Sequence, residues 1–395
     1  MKKWSKNLIL HADVDAFFVS CELTLRPELK GLPVIVGEDR GIAVAISIEA
    51  KKLGVTRGMP VFKIKKLFPE VVILSHHFDL YNDISDKMHQ ILSNYCQKIE
   101  VYSIDECFAI AEPAEIKYFG GAKKFLTELK NEIEKTLGVT YSFGLARTKA
   151  LAKQASKLQK PNGMVLLLSR EDEVQALKAT SIEHIWGIGK QTIPRLQNKR
   201  LKTAYDFINL PEIEITKYFG EPLLILQREL SGESVFEVKN NVDPRGQKSI
   251  QATSTFRPNS SESKIIWREI SENAERACAN AREIKLLSNK VSFFIKNAEF
   301  KYFYSEIKLP LYTVDPGIIL NAIEVLFFEL LKDKGKIRST GVILHNLTRE
   351  ENIPLDLFGK QDAINKKTIV EEVADKIREK YGKDIIKRGT SLNRK

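Results

Sequence analysis

Twice along the chain the same order of periodic segments returns, and that order limits the fold more than any single motif does. In the first pass the apolar run Leu8-Ile9-Leu10 leads into His11-Ala12-Asp13-Val14-Asp15, a short buried strand that ends in acids. An insert at 25–75 follows, punctuated by Pro27, Gly31, Pro33, Gly54, Gly58, Pro60 and Pro69, as expected of a small subdomain of short elements. Beyond it, Ile84, Met88, Ile91, Leu92 and Tyr95 fall on one helical face. Two β-like runs at 99–102 and 107–110, a helix at 121–137 and a strand at 140–143 complete the pass. In the second pass a strand at 248–256 and a helix at 261–284 precede a hairpin rich in Phe and Tyr at 289–296 and 300–309. A helix at 316–332 and a strand at 338–347 close it. Each pass is βαββαβ, the ferredoxin-like arrangement in which two helices cover one face of a sheet.

The reading is therefore an α+β multidomain chain. The first unit takes 1–24 and 76–168, with 25–75 inserted. A helical segment spans 169–236, and a linker at 237–247 carries Asn240-Asn241, Asp243-Pro244 and Gly246. The second unit covers 248–349 and a tail 350–395. The length of 395 residues agrees, at roughly 100–200 residues per domain. With 43% hydrophobic and 29% charged residues, the chain builds cores and is not disordered overall.

Charge narrows the partners. Lys and Arg number 62 against 51 Asp and Glu, a net +11, which suits a polyanion and suits solubility equally. Cys21, Cys96, Cys107 and Cys278 are far apart with no C-x-x-C pair, so they read as small buried hydrophobes rather than zinc ligands. No stretch approaches the ~18–20 apolar residues of a membrane span. A soluble, cytoplasmic protein is expected, with no membrane partner.

Four features point to chemistry. Asp13 closes a buried strand and Asp105-Glu106 sit at a turn between two others. Buried charge needs compensation, and three carboxylates converging at strand ends form an oxygen-ligand site suited to Mg²⁺. Two such ions about 3.5–4 Å apart serve in-line phosphoryl transfer. The residues alone also fit ordinary turn and strand-end acids.

The second feature is a basic stripe. No Asp or Glu occurs at 138–169, whereas Lys149, Lys153 and Lys157 recur at i,i+4 and share a helical face, with Lys160 beyond. Like charges at that spacing repel, so phosphate is the expected compensation, with a solvated helix as the alternative. Third, Trp186-Gly187-Ile188-Gly189-Lys190 reads as a tight Gly-x-Gly turn between helices, a helix-hairpin-helix that contacts DNA backbone without reading sequence. Fourth, Pro354-Leu355-Asp356-Leu357-Phe358 is an apolar cluster that calls for a partner. A helix at 363–381 follows it, with Ile369, Val370, Val373 and Ile377 on one face. Such a tail either meets a partner or folds back on its own chain.

The strings Asp13-Val14-Asp15-Ala16-Phe17-Phe18 and Tyr102-Ser103-Ile104-Asp105-Glu106 resemble the Y-family translesion DNA polymerases, and the resemblance runs from about 7 through 358. It implies a right-hand polymerase: the first unit a ferredoxin-like palm, 25–75 the small fingers, 169–236 the thumb, 248–349 the little finger. It implies that Asp13, Asp105 and Glu106 bind two Mg²⁺ ions, with the Val14 carbonyl as a further ligand. It makes Phe18 the steric gate against a 2′-hydroxyl. It also puts Phe17, Lys51 and Lys160 on the incoming dNTP and gives the tail pentapeptide, Leu355, Leu357 and Phe358, to a sliding clamp.

Departures are specific. Where the polymerase IV branch carries Thr, Tyr and Arg on the fingers, this chain has Ala45, Ile48 and Lys51, and Pro354 replaces the usual clamp-motif Gln. Small residues and a Lys on the fingers, with the Trp-Gly-Ile-Gly hairpin and Arg228 to Glu233, are similar to the catalytic subunit of bacterial polymerase V. The segment from Gly382 to Arg388 is more like Gram-positive Y-family relatives. The chain is thus placed nearer the polymerase V branch, which would allow an accessory subunit.

The expected function is DNA-templated, low-fidelity synthesis across damaged bases, on primer–template DNA with dNTP. The little finger carries part of the positive charge, 17 Lys and Arg against 11 Asp and Glu at 245–349. A non-catalytic DNA-binding or clamp-tethered scaffold of the same fold and a metal-dependent nuclease are the alternatives.

Overall fold

A computed structural model describes residues 7–38, 41–240, 248–353, 360–382, 385–386 and 389, with backbone alone at 360–368. The chain divides into two units, Met1–Val242 and Asp243–Lys395.

The first unit opens with β1 (Leu8–Val14) and α1 (Phe17–Leu25). An insert then holds β2 (Val34–Val36), β3 (Ala45–Ile46), α2 (Ile48–Lys52), α3 (Val61–Leu67) and β4 (Val72–Leu74), whose strands form a small sheet of order β3-β2-β4. Next come α4 (Phe78–Ser93), β5 (Lys98–Val101), β6 (Glu106–Ala111), α5 (Pro113–Tyr118), α6 (Ala122–Leu137), β7 (Tyr141–Ala146), α7 (Lys149–Leu158) and β8 (Met164–Leu166). The central sheet has the order β5-β6-β1-β7-β8. Without β8, a parallel addition at one edge, this is the ferredoxin-like order read from the sequence.

Both faces of that sheet are buried, because strand alternation sends Leu10, Ala12 and Val14 to one side and Ile9, His11 and Asp13 to the other. The first side packs Leu10, Ala12 and Val14 against Met88 and Leu92 of α4 and Phe125 and Leu129 of α6. On the second side α7 lies almost on the backbone of β7. A Cβ on Gly144 would come 2.0 Å from the Ala152 carbonyl oxygen, so only glycine allows that approach.

The helices α8 (Arg170–Ala179), α9 (Thr192–Gln197), α10 (Ala204–Ile208), α11 (Glu212–Phe219) and α12 (Glu221–Leu230) share one apolar cluster with α7. Polar ties reinforce it. Arg147 forms a fork on Glu173 at 2.6 Å through both Nε and Nη2, and Glu229 accepts from the backbone N–H of Ala150, Val235 and Phe236.

In the second unit the elements run β9 (Ser249–Ser260), α13 (Ser263–Glu283), β10 (Leu287–Asn297), β11 (Tyr302–Thr313), α14 (Pro316–Leu331) and β12 (Ile337–Thr348). The element order is the expected βαββαβ, but the sheet order β11-β10-β12-β9 is not the ferredoxin-like one. Here β12, the last strand, slots between β9 and β10, whereas in the first sheet the equivalent gap is filled by the third strand, β6. The β10–β11 hairpin therefore hangs at the sheet edge. Element order alone permits both solutions, so the expectation of two ferredoxin-like units is corrected for the second.

The last helix, α15 (Lys360–Tyr381), is held by ion pairs to α13: Arg282 Nε lies 2.6 Å from Asp375, and Arg378 Nη2 lies 3.9 Å from Glu275. It does fold back on its own unit, with Ile369, Val370 and Val373 left exposed. Residues 354–358, with Leu355, Leu357 and Phe358, lie outside the described residues. The four cysteines are buried and free. Among the described residues no helix is long and apolar enough to cross a membrane.

Candidate active site

Register decides which acids meet. In the β1–β6 pair Asp13 stands opposite Glu106 and His11 opposite Phe108, so these side chains share the face under α7. One ligand atom each from His11, Asp13 and Glu106 falls within 4.8 Å of the others. The Val14 N–H donates to the Asp105 carbonyl at 2.9 Å, joining the end of β1 to the 103–106 turn. Asp105 itself is turned toward the Ser103 hydroxyl and stands outside this tightest group. The expected trio is thus brought together as a pair plus a neighbour, and its closest third member is a histidine.

The partners of each group differ. Lys153 Nζ lies 2.6 Å from Glu106 Oε2 and His11 Nε2 lies 3.3 Å from the same oxygen. His11 Nδ1 is 2.8 Å from Ser156 Oγ. Burial pushes the Glu106 carboxyl up, but hydrogen bonds from His11 and Lys153 with the Lys153 charge outweigh it and bring it down to about 2. Burial pulls the His11 imidazole down to about 4 despite its bond to Glu106, so the ring is neutral at pH 7. Asp13 goes the other way: burial, with the nearby charges of Glu106 and Asp105, raises it to about 6 even though Lys160 is in direct contact.

Burial is what holds the Asp13 carboxyl high, because a desolvated carboxylate needs a positive partner to stay charged. Carboxylate oxygens are hard donors, and a divalent cation among Asp13, Glu106 and Asp105 would supply that partner. The donor set therefore fits a metal ion.

Asp15, just past the end of β1 and two residues on from Asp13, also faces this site. Its carboxylate accepts from Ser142 Oγ at 2.8 Å and from the Asn162 N–H at 2.7 Å, and Lys160 Nζ stands 3.9 Å away. It anchors the turn that delivers Lys160 to Asp13. The sequence reading passed over Asp15, although period-2 alternation already put it beside Asp13.

Residues 12–157 match the impB/mucB/samB family and residues 247–357 match its C-terminal domain. A DNA polymerase IV of Streptococcus pyogenes serotype M3 is 31% identical over 356 residues, covering 88% of this chain and 96% of that protein. The chain belongs to the Y family of translesion DNA polymerases. A DNA polymerase IV of Desulfatibacillum aliphaticivorans is 30% identical over 387 residues, 96% of this polymerase and 95% of that one. Among solved structures, a Y-family chimera of Dbh and Dpo4 aligns at a TM-score of 0.75 and 24% identity, covering 87% of this chain and all of that one. DinB from Sulfolobus solfataricus aligns at 0.55, also at 24% identity. These last two speak for the fold. The curated relatives carry the polymerase IV name, which gives no support to the placement nearer polymerase V.

The basic stripe of the polymerase needs correcting. Lys149, Lys153 and Lys157 do share a face of α7, but Lys149 and Lys153 are only 5% exposed. Lys149 Nζ sits 2.7 and 2.8 Å from the two oxygens of Glu100, and Lys153 is committed to Glu106. The compensating acids come from β5 and β6, not from a ligand. Lys157 alone of the three is exposed.

Trp186 packs inward, edge-on to Tyr102 at 5.8 Å, and Lys153 Nζ lies 4.4 Å from the Tyr102 ring. Trp186 therefore packs, half-buried, beside Tyr102 and Lys153 at the edge of the acidic cluster. Gly187, with φ 88°, and Gly189 and Lys190 are exposed, ahead of the short α9. Lys51 is exposed on α2, outside the acidic group. Phe17 is in the core, whereas Phe18, one residue on, is partly exposed and stacks on Tyr81 at 4.5 Å and 15°.

Proposed function

We propose that this polymerase adds nucleotides from dNTP to a primer 3′-hydroxyl across damaged template bases, with the chemistry at Asp13, Asp105 and Glu106. The observation that carries the reading is the cross-strand pairing of Asp13 with Glu106, beside an ammonium delivered by a separate turn. In this reading Asp13, Asp105, Glu106 and the Val14 carbonyl hold two Mg²⁺ ions. Bound there, the ions favour the attacking oxygen and stabilise the leaving pyrophosphate.

The protein's own groups prepare that site. His11 and Lys153 both take Oε2 of Glu106, which fixes the carboxylate and leaves Oε1 for a ligand. Lys160, between Asp13 and Asp15, is an ammonium for which an incoming triphosphate competes. Phe18 presents its ring as the sugar gate, and the backbone N–H groups opening α1 at Phe17 face the same end of β1. Lys51 joins the triphosphate contacts from the fingers. Gly187, Gly189, Lys190 and Lys157 approach the duplex backbone, and Leu355, Leu357 and Phe358 engage a sliding clamp. An accessory subunit is compatible with this arrangement.

Primer extension by the isolated chain with Mg²⁺, on undamaged and damaged templates, tests the reading. Elongation on both templates is expected. Labelled DNA that shortens without added dNTP would point to a nuclease, and DNA binding without extension to a scaffold.

A further inference from the structure

Glu22 is a carboxylate with no exposure at all, one helical turn beyond Phe18 on α1. A buried acid is unfavourable unless its oxygens are satisfied. Its partners come from the start of α4: Tyr81 donates its hydroxyl to Oε1 at 2.6 Å, and His77 Nδ1 stands 2.9 and 3.0 Å from the two oxygens. Tyr81 is itself fully buried, and its ring forms the surface on which Phe18 is stacked. Phe78 closes the group edge-on, 6.0 Å from Phe18 at 85° and 5.7 Å from Tyr81 at 78°.

The consequence is mechanical. Phe18 extends from α1, and the surface behind it belongs to α4, an element far away in the sequence. A gate that tells hydrogen from hydroxyl at one carbon must hold its ring within a fraction of an ångström. Stacking alone is weakly directional and lets one ring slide on the other. The Glu22–Tyr81 hydrogen bond removes that freedom, because it ties the backing ring to the helix that carries the gate. The fully buried carboxylate has no catalytic duty at the acidic cluster, so its retention asks for another account.

We propose that Glu22 is a positioning residue for sugar selection: by fixing Tyr81 through its hydroxyl, it holds Phe18 at the distance that rejects ribonucleotides. The inference rests on Phe18 being the gate. Steady-state incorporation of one dNTP and the matching rNTP, by the full chain on primer–template DNA, tests it in Phe18→Ala, Tyr81→Phe, Glu22→Gln and the double variant Phe18→Ala/Tyr81→Phe. Tyr81→Phe keeps the ring and the packing, so it remains informative should Glu22→Gln not fold.

Losing one hydrogen bond to a charged group is expected to raise the rNTP/dNTP ratio of kcat/KM by about 3- to 30-fold, with dNTP use changed less than about threefold. The double variant is expected to match Phe18→Ala, since Tyr81 acts only through that ring. A Tyr81→Phe enzyme that loses dNTP and rNTP use equally overturns the inference, and so does a double variant that discriminates less than Phe18→Ala. If Phe18→Ala alone leaves the ratio unchanged, the gate reading fails and takes this inference with it. An unchanged ratio in Tyr81→Phe beside a raised one in Phe18→Ala overturns this inference only.

Discussion

The Nζ of Lys153 lies 2.6 Å from Oε2 of Glu106, so a lysine from a buried helix ends inside the acidic cluster. Removing one partner of such a pair leaves a charge uncompensated. Lys153→Met is expected to lower unfolding stability by about 3 kcal/mol, and by much less when Glu106 is already Gln. Urea denaturation of the four proteins in that cycle reads the coupling; equal losses in both backgrounds would mean the pair contributes nothing.

His11 sets a pH signature in the metal-free protein. Its folded-state pKa of about 4 lies below its ordinary 6.5, so between those values the unfolded chain binds a proton that the folded one does not. Its contribution is fully present above 6.5 and is lost as pH falls toward 4, amounting to about 3 kcal/mol. Asp13, raised to about 6, works in the opposite sense and gains stability as pH falls through that value. The comparison that isolates the histidine is therefore wild type against His11→Asn in EDTA. The variant is expected to lose less stability between pH 6.5 and 4, and parallel curves would contradict the assignment.

Gly144 is where α7 meets the sheet. A methyl group there would stand 2.0 Å from the Ala152 carbonyl and 2.5 Å from the Ser156 nitrogen, both backbone atoms. Gly144→Ala must therefore shift the helix that carries Lys153 and Ser156, at a cost of about 2 kcal/mol or more. A melting temperature within a degree of wild type would show the helix free to move.

How much of this was legible in the sequence follows from how local each relationship is. Asp13 and Glu106 could be read because an acid at the end of an apolar strand is visible within a few residues. The fate of Lys149 and Lys153 could not: an acid-free stretch says nothing about Glu100 and Glu106 on neighbouring strands. Glu22 and Tyr81 are likewise 59 positions apart, joined only once α1 packs on α4. Phe17 and Phe18 look alike in sequence, yet one helical step sends the first into the core and the second toward the site. In the second unit the periodicity identified the six elements of the βαββαβ order but not that β12 would insert beside β10, because pairing order is settled between strands rather than within them.

For the tail, deleting residues 354–358 is expected to reduce clamp-stimulated synthesis while basal primer extension stays within about twofold, since truncating the core contacts of a short docking motif removes most of its affinity. Extension assays with and without a loaded clamp compare the two. Equal stimulation of both proteins would dissociate the pentapeptide from that role.

The most direct test is single-turnover insertion of one dNTP on primer–template DNA by wild type and Glu106→Gln, with DNA affinity measured on the same preparations. Loss of several kcal/mol of transition-state stabilisation predicts a rate about 10³-fold lower or worse, with DNA affinity unchanged within about twofold. Insertion by Glu106→Gln within about tenfold of wild type would contradict the assignment of the chemistry to the carboxylates where β1 meets β6.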